Sequence, residues 1–460
     1  MNPTIRFTAE HMNRLRAHLF GGGHGMLDER AAFAYAIEVP DMNEHLLLVQ
    51  KLNLIDPKDC SYVGPGGITL RDEIKVEAIM LARRTGRRLI EIHSHPGPLS
   101  ADSTSFSEVD DKGHIEFDRY LSWKYRGPWA ALVFGERCVA GSLWTVHGQP
   151  SIPINRVMVE GRPIPSAGVA SVIIDTERLN RQLLAFSEEG QKALGFIKLG
   201  VIGCGGLGSF IAMYAVLLGV RRFVLVDDDT VSLSNLNRLP HVFPPDVGRN
   251  KVEALAEYLR RCDPAVEVEV IHSTLRSSHA LSRLRFCDVI SGGVDNDGAR
   301  IVLAHLAAAY LIPYLDAGSD IVKVGDAVIP GGRVHIWTPG TNCLRCDGLI
   351  NDEEVREVLS TKSEREVRAH LGYAGNAPLR SPSIGHVNGH VASSLVDELH
   401  ALVAGAHPVH RLREYRANRG QEVERKTAER IRYCACCTEG IALGDAVDLT
   451  RFHVNDDYAA

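Results

Sequence analysis

The sequence has no excess of positive charge. Its 51 Lys and Arg residues stand against 57 Asp and Glu residues, which gives a formal net charge of -6 at pH 7. Nucleic acids and anionic membrane surfaces attract proteins through clustered basic residues, and this composition offers no such field. We therefore expect neither nucleic acid nor a membrane among the partners of the chain.

Long hydrophobic runs are also missing. The most apolar long stretch, residues 301–315, contains His305 and Pro313, and it is shorter than the about 20 residues that a membrane-spanning helix needs. Residues 1–20 carry His, Arg and Glu among their apolar positions, so they lack the continuous apolar core of a secretory signal. We expect a cytoplasmic protein.

Cysteine is scarce for a chain of this length. Ten Cys among 460 residues are too few for a disulfide scaffold, and four of them form two Cys-x-x-Cys pairs. In a reducing compartment, two such pairs favour one structural zinc ion over disulfides. Cys436 is a spare thiol inside the second pair, so the assignment could shift by one residue. The predicted ligands are Cys343, Cys346, Cys434 and Cys437.

A segment rich in Pro and Gly separates two sequence patterns. Residues 151–174 contain several residues of both types and little periodicity, which predicts a linker. Residues 1–150 combine helical patterns, such as Thr8–Phe20, with short strand patterns, such as Arg88–His93, and predict a compact α+β domain. Residues 175–460 alternate between strands and helices, which predicts an α/β domain with a mostly parallel, doubly wound sheet. Ligands of such sheets bind at the carboxyl ends of the strands.

A glycine-rich turn lies between the first predicted strand and helix of the α/β domain. Its sequence is Gly-x-Gly-Gly-x-Gly over residues 203–208, and such turns bind phosphate through backbone N–H groups and the helix dipole. Alone, this turn also fits an NAD-dependent oxidoreductase, because Asp227 follows near the position of a ribose-binding carboxylate.

Two cations after the turn favour adenylation over hydride transfer. Arg238 ends the sequence Asn-Leu-Asn-Arg after the acidic run 227–229, and Lys251 follows it. Adenylation must stabilise charge on the α-phosphate of ATP and on the departing pyrophosphate, whereas dinucleotide oxidation needs no cations beside the phosphates. The pattern therefore favours a site that activates a carboxylate with ATP.

Together these motifs resemble the ThiF/MoeB-type enzymes, bacterial relatives of ubiquitin-activating enzymes, over about Asp175–Asp445. The resemblance implies a Rossmann-like domain that adenylates the carboxyl-terminal glycine of a ubiquitin-like protein with ATP and Mg²⁺, and a zinc ion at the four cysteines. It implies that Asp227 binds the ribose and that Asp295 lies by the magnesium and the acyl phosphate. Arg181 would reach the ATP of the partner protomer in a homodimer. The residues assigned to cofactor binding are Gly203, Gly205, Gly206, Gly208, Asp227, Asp229, Asn235, Arg238, Lys251 and Asp295, of which Arg238, Lys251 and Asp295, with Arg181, are also the predicted catalytic residues.

One departure from the family concerns the crossover segment, about residues 351–380. Members that pass the activated protein to their own thiol keep a cysteine there, whereas this chain has none from Asp347 to Tyr433. Activation is therefore predicted to stop at the acyl adenylate or to pass directly to an outside nucleophile. Sulfur delivery, with a sulfur donor as partner, and conjugation, with a separate conjugating enzyme, both remain open.

A second group of metal-binding residue types lies in residues 1–150. His93 and His95 are two positions apart, so both face the same side of a strand. Asp110 is the third candidate ligand, and three protein ligands leave a position open for water, as in catalytic zinc sites.

This group resembles the JAMM (JAB) metallopeptidases over about Arg14–Trp144. The resemblance implies cleavage of isopeptide or peptide bonds after the terminal glycine of ubiquitin-like proteins, with zinc on the two histidines and Asp110. It implies that Ser107 steadies the oxyanion and that Glu29 activates the water, with Glu38 as the alternative. The loop between His95 and Ser107 is longer than is usual in that family.

The sequence thus predicts a fused activating and processing enzyme for a ubiquitin-like modifier. Alternatives are adenylation of the carboxyl end of a small peptide, an NAD-dependent oxidoreductase, and a non-catalytic scaffold that binds the modifier.

Overall fold

The computed structural model describes residues 2–21, 28–42, 44–98, 100–360, 364, 370 and 382–452. The chain divides into two compact units, Met1–Ile173 with Ala442–Ala446, and Ile174–Ile441 with Val447–Ala460. Among the described residues, no helix combines the length and the apolar character that a membrane crossing requires.

The first unit is built around one large mixed sheet. Its strands are β1 Asn2–Phe7, β2 Ala31–Pro40, β3 Glu44–Leu54, β4 Cys60–Gly64, β5 Gly67–Leu70, β6 Arg88–Ser94, β7 Trp129–Phe134, β8 Val139–Trp144, β9 Ile152–Pro153, β10 Arg156–Val159 and β11 Arg162–Pro163. The strand order in the described part is β11-β10-β1-β3-β2-β6-β7-β8-β9, and β4 with β5 forms a separate hairpin. Its helices are α1 Ala9–Phe20, α2 Asp72–Thr85, α3 Glu108–Lys124 and the one-turn α4 Ala167–Ala170.

Both faces of this sheet are buried. Side chains alternate along a strand, so Ala32 and Ala34 of β2 join one apolar cluster, whereas Phe33 and Tyr35 join the other. The first cluster includes the buried residues of α1, and the second includes those of α2 together with Leu121 of α3. The helix α3 therefore covers the face of β6 opposite to the one that α1 covers.

The segment 151–174, predicted as a linker, instead supplies three strands to this sheet. Strand β10 pairs in parallel with β1, and β9 and β11 are the two edge strands. Pro153 and Pro163 lie in these edge strands, where a missing N–H group interrupts no ladder. The prolines thus mark edges of the sheet, and the two units divide at Ile173 and Ile174. The short segment Ala442–Ala446 also belongs to the first unit, where the Ala442 carbonyl accepts a hydrogen bond from Gln50 at 2.7 Å.

The second unit confirms the predicted mixed α/β fold with a Rossmann-like sheet. Its strands are β12 Lys198–Ile202, β13 Arg222–Val226, β14 Glu267–Ile271, β15 Val289–Gly292, β16 Tyr314–Val324, β17 Ala327–Trp337, β18 Leu412–Arg416 and β19 Gln421–Glu424. Its helices are α5 Asn180–Leu183, α6 Glu188–Phe196, α7 Gly206–Leu218, α8 Lys251–Cys262, α9 Ser278–Leu284, α10 Asp297–Tyr310, α11 Asp352–Leu359 and α12 Gly385–Ala404. Strands β14, β13, β12, β15 and β16 pair in parallel in that order, and β17, β18 and β19 extend the sheet with antiparallel pairings.

The order of the parallel strands creates a switch point. The chain proceeds from β12 through β13 to β14 on one side, and β15 and β16 lie on the other side of β12. Loops that leave the carboxyl ends of β12 and β15 therefore diverge, and ligands of α/β sheets bind in the crevice between such loops. The predicted phosphate turn follows β12, and Asp295 follows β15.

The segment after the first cysteine pair is only partly described. It contains α11, a charged helix. Most of the predicted crossover segment, at residues 361–363, 365–369 and 371–380, lies outside the described residues.

Candidate functional sites

The phosphate turn is closely packed at two of its glycines. A Cβ on Gly208 would lie 1.8 Å from the Gly203 carbonyl oxygen, and one on Gly206 would lie 2.2 Å from the amide nitrogen of Asn388 in α12. Gly203 itself has a φ of 82°, which L side chains rarely adopt. These three glycines are therefore explained by the packing and backbone of the protein alone.

Gly205 is different, because the protein leaves open space above it. It caps the amino terminus of α7 with an extended backbone, and apart from its immediate neighbours in the chain no atom of the described residues lies within 4 Å of the position of a Cβ. Neither packing nor conformation therefore demands glycine here. A phosphate group that approaches the N–H groups of the helix terminus does demand it.

The carboxylate of Asp227 accepts hydrogen bonds from the backbone of the phosphate turn and of the acidic run that follows β13. One oxygen accepts a hydrogen bond from the Cys204 N–H group at 2.6 Å, and the other accepts one from the Asp229 N–H group at 2.9 Å. Burial raises the pKa of Asp227, and the nearby Lys251 partly offsets this rise. The ammonium group of Lys251 is buried and donates a hydrogen bond to Asp229 at 2.5 Å.

Arg238 and Asn235 lie in the loop that follows β13. Asn235 is buried, and its side-chain oxygen Oδ1 accepts a hydrogen bond from the Ser232 N–H group at 3.0 Å. This side chain therefore stabilises the loop. The guanidinium of Arg238 donates to the Ser234 carbonyl and to the Asn237 side chain. In the part of the chain that the structure describes, no carboxylate forms an ion pair with Arg238, which leaves its charge available to an anion.

The loop after β15 contacts the phosphate turn. A Cβ on Gly293 would lie 2.8 Å from the nitrogen of Gly208, so the two loops touch through their backbones. Asp295 is exposed and accepts a hydrogen bond from the Asn296 amide at 3.2 Å. Asn296 in turn caps α10 by accepting from the Ala299 N–H group at 2.8 Å.

Arg300 holds this loop in place, a role that the sequence analysis missed. Its guanidinium donates to the Val294 carbonyl at 2.9 Å, to Asp297 at 2.7 Å and to the fully buried Asp316 at 3.2 Å. Burial alone would lower the pKa of Arg300, but the combined effect of Asp316, Tyr314 and Asp297 outweighs burial and raises it. Arg300 lies in the first turn of α10. This position beside the loop of Asp295 was the only feature of the sequence that could have indicated its role.

Arg181 lies in the short helix α5 and is exposed. None of the contacts described at the phosphate turn includes it. Its predicted reach into a partner protomer stays a prediction.

The predicted four-cysteine cluster is confirmed. All four thiols are buried, and the sulfur atoms lie within 4.8 Å of one another, with 3.6 Å between Cys343 and Cys434 and 3.4 Å between Cys346 and Cys437. Tetrahedral zinc with Zn–S bonds of about 2.3 Å separates its sulfur ligands by about 3.8 Å, so the cluster fits this ion. Cys436 is not a member of this group, and its thiol donates to the Ala304 carbonyl at 3.0 Å.

The cysteine cluster connects to the loop that carries Asp295. Asn351, shortly after the first cysteine pair, donates its N–H group to Asp297 at 2.7 Å, and Glu354 of α11 accepts from the Asp297 N–H group at 3.2 Å. Asp297 also pairs with Arg300. The cysteine-bound segment and the β15 loop therefore share one buried carboxylate.

In the first unit, three segments of the chain bring the predicted metal ligands and Glu29 together. His93 and His95 leave the same face of the β6 strand and its extension, and Asp110 stands at the start of α3. Nε2 of His93 lies 3.4 Å from one oxygen of Asp110, and Nε2 of His95 lies 3.3 Å from the other. Glu29, just before β2, places a carboxylate oxygen 3.9 Å from Nε2 of His95.

A capping box fixes the position of Asp110. Its N–H group donates to the Ser107 hydroxyl at 3.2 Å, and its carboxylate accepts from the Ser107 N–H group at 2.7 Å. The Ser107 hydroxyl also donates to this carboxylate at 2.8 Å. The helix terminus thus positions both a candidate ligand and a candidate oxyanion donor.

The electrostatics of this cluster suit a cation. Burial raises the pKa of Glu29, although the two histidines partly offset the rise. Burial would also raise the pKa of Asp110, but the neighbouring His93 and His95, together with the Ser107 N–H group, outweigh burial and lower it well below its usual range. The hydrogen bond with Asp110 raises the pKa of His95. Among the described residues, Nε2 of His93 is buried and makes no hydrogen bond, although it lies 3.4 Å from the carboxylate of Asp110.

The structure distinguishes Glu29 from its alternative. Glu38 pairs with His45 at 3.1 Å and with Arg88, whereas Glu29 joins His93 and His95 in one cluster. The candidate water-activating residue is therefore Glu29.

Comparison with known proteins finds relatives of the second unit. The model of the ThiF family matches residues 179–436. Adenylyltransferase and sulfurtransferase MOCS3-1 of Zea mays is 36% identical over 172 residues, which are 37% of this chain and 35% of that protein. Molybdopterin-synthase adenylyltransferase of Escherichia coli (strain K12) is 30% identical over 173 residues, 37% of this chain and 66% of that protein. The chain thus matches about a third to two thirds of the length of these relatives.

A crystal structure of Escherichia coli MccB with AMPCPP and SeMet MccA matches 59% of this chain and 76% of that chain, with a TM-score of 0.46 and 18% sequence identity.

Proposed function

Because the chain belongs to the ThiF family, we propose that its second unit adenylates the carboxyl-terminal glycine of a ubiquitin-like protein with magnesium ATP. The observation that carries this proposal is the open space above Gly205, at a helix terminus in the crevice between the β12 and β15 loops. Arg238 supplies positive charge beside the turn, because its Cδ lies 3.6 Å from the position of a Cβ on Gly206. It has no carboxylate partner among the described residues.

The residues of the crevice suit nucleotidyl transfer. A carboxylate oxygen of the modifier attacks the α-phosphorus of ATP, the bond to the bridging oxygen breaks, and pyrophosphate leaves. The N–H groups of the turn bind phosphate, and Arg238 and Lys251 stabilise the charge that develops on the phosphates. Asp227 binds the ribose, and Asp295 would hold the magnesium ion that accompanies ATP. In a homodimer, Arg181 would complete the site of the partner protomer.

The fate of the adenylate is the next part of the proposal. The names of the maize and bacterial relatives refer to sulfur transfer and to molybdopterin synthase, and the absence of cysteine from Asp347 to Tyr433 in the sequence disfavours a thioester on a crossover cysteine. We propose direct transfer from the adenylate to an outside nucleophile. A sulfur donor or a conjugating enzyme would supply that nucleophile.

We propose that the first unit is a JAMM-type zinc peptidase acting on the same kind of carboxyl terminus. The convergence of His93, His95 and Asp110, with a buried Nε2 of His93 that makes no hydrogen bond among the described residues, supports it. A zinc ion on these three residues would supply Lewis acidity and acidify a bound water. Glu29, with its raised pKa, is a suitable base for a proton of that water, and the Ser107 hydroxyl would donate to the developing oxyanion.

A nucleotide test distinguishes this proposal from its alternatives. Magnesium ATP should raise the melting temperature of the full chain, and Lys251→Ala should abolish the rise. Lys192→Ala is the matched control, because Lys192 pairs only with the exposed Glu188 on the surface of α6 among the described contacts. Stabilisation by NADH and not by magnesium ATP would establish the oxidoreductase alternative.

A second test separates a protein substrate from a peptide. ATP–pyrophosphate exchange should require a folded ubiquitin-like protein that ends in Gly. Equal exchange with a short synthetic peptide of the same carboxyl-terminal sequence would establish the peptide alternative.

A further inference from the structure

The carboxyl end of α12 carries a cluster of charged and histidine side chains, distant in sequence from the phosphate turn. Asp397 and Glu398 belong to the helix, and His407 and His410 belong to the loop that connects it to β18. One ligand atom each of Glu398, His407 and His410 lie within 4.8 Å of one another.

A backbone carbonyl beside His407 fixes which ring nitrogen carries the proton and which can bind a cation. Nδ1 lies 2.8 Å from the Pro408 carbonyl oxygen. A carbonyl can only accept, so Nδ1 must carry the proton, and in the neutral ring Nε2 then has the lone pair. Among the described residues, this Nε2 is buried and makes no hydrogen bond, although it lies 3.3 Å from an oxygen of Asp397. A carbonyl that fixes the distal nitrogen of a histidine is the usual outer partner of a metal ligand.

Glu398 contacts His410, the second histidine of the cluster, through both of its carboxylate oxygens. Its side chain is fully buried, and one oxygen accepts the His410 N–H group at 2.8 Å. The other oxygen lies 3.0 Å from Nδ1 of His410, a separation that two ligands of one metal ion also show when each bond is about 2.1 Å.

The charges of the cluster leave a deficit of positive charge. Arg413 is the guanidinium in the cluster, and it contacts Asp397 at 3.0 Å, Glu398 at 2.9 Å and Glu422 at 2.8 Å. Among the described contacts, these three carboxylates meet one guanidinium, which leaves two negative charges when both histidines are neutral. A divalent cation matches this deficit.

We propose that Glu398, His407 and His410 bind a divalent transition-metal ion of the zinc class, with Asp397 as a fourth donor. Imidazole and carboxylate ligands suit such ions. The ion fixes the loop after α12 to the helix, and Arg413 remains an outer partner of the carboxylates. This site is separate from the four cysteines, and its existence does not depend on the proposed function.

A count of bound zinc tests the proposal. Wild-type protein and variants of the full chain are dialysed against micromolar free Zn²⁺, and the zinc per chain is measured. His407→Ala and His410→Ala should each lose one ion relative to the wild type. His407→Cys should keep it, because a thiolate replaces the lost ligand. His400→Ala, which removes a neighbouring histidine outside the three-residue group, should keep the wild-type count.

The same count can overturn the proposal. An equal count in wild type, His407→Ala and His410→Ala would show that these histidines hold no zinc ion. Loss in His400→Ala, or failure of His407→Cys to retain the ion, would also contradict the assigned ligands. Melting temperatures measured in chelator separate lost binding from lost folding. Should an alanine variant unfold, Glu398→Gln, which keeps the side-chain volume, should lose the ion.

Discussion

The proposed phosphate-binding turn of the second unit and the proposed metal-binding histidine cluster of the first unit differ in the groups that they offer to a ligand. The turn offers backbone N–H groups and open space above Gly205, so atoms added there should damage it. The cluster offers side chains from three separate segments of the chain, so atoms removed there should damage it. The turn is therefore tested by substitutions that add atoms, and the histidine cluster is tested by substitutions that remove a functional group.

The largest expected effect is at Glu29. Glu29→Gln should lower the hydrolysis of a modifier with an extended carboxyl terminus by about 10²–10⁴-fold, because a base for the water is lost. The zinc content should not change, whereas His95→Ala should lose both one zinc ion and the activity. Cleavage assays and metal analysis measure the two effects. If Glu29→Gln retains full hydrolysis, Glu29 is not the base.

The next effect is at Gly205. Gly205→Ala should lower ATP–pyrophosphate exchange by about 100-fold, because the methyl group occupies the space proposed for phosphate, a loss of about 2.7 kcal/mol of transition-state stabilisation. Its melting temperature should fall less than that of Gly208→Ala, because the protein leaves room for the methyl group and only the preference for glycine over alanine at the helix cap is lost.

Gly208→Ala is the matched contrast to this substitution. Here the Cβ would meet the Gly203 carbonyl oxygen, so the free energy of unfolding should fall by about 1–3 kcal/mol. Denaturant unfolding of both variants measures the difference. Equal stability losses in the two variants would contradict the open space above Gly205.

Arg300 tests whether the β15 loop depends on its buried ion pairs. Arg300→Met should lower the free energy of unfolding by about 3 kcal/mol, because the fully buried Asp316 loses its closest cationic partner. Arg300→Lys should lose less, since one charge remains. An Arg300→Met protein of wild-type stability would contradict the role of this residue in holding the loop.

The smallest expected signal concerns the homodimer. Arg181→Ala and Lys251→Ala should each abolish exchange when measured alone. An equal mixture, after subunit exchange, should recover about a quarter of the wild-type rate, because half of the dimers then contain one intact composite site of two. No recovery in a mixture that has exchanged subunits would argue that Arg181 does not act across an interface.

Local patterns in the sequence were sufficient for the phosphate turn and the cysteine cluster. A strand, a glycine turn and a helix are consecutive in the chain, so their spacing predicts Gly203–Gly208 directly. The cysteine pairs are far apart, but thiolate chemistry joins them without knowledge of the path between them.

Contacts between distant segments could not be predicted in this way. The pairing of β10 with β1 depends on how the chain returns to the sheet, and the prolines beside it are also typical of linkers. The approach of Asn388 to Gly206 and the contact of Arg300 with Asp316 are likewise fixed only by packing. His407 and His410 were absent from the predicted sites because no pattern in the sequence connects them with Glu398.

The central claim is that the second unit activates a carboxyl-terminal glycine as an acyl adenylate. The most direct measurement is intact-protein mass spectrometry of a glycine-terminated ubiquitin-like protein after incubation with the full chain and magnesium ATP. We predict a mass increase of one adenylyl group that depends on Lys251 and disappears when hydroxylamine is added. An unmodified carboxyl terminus, under conditions in which the chain binds both ATP and the modifier, would contradict the claim.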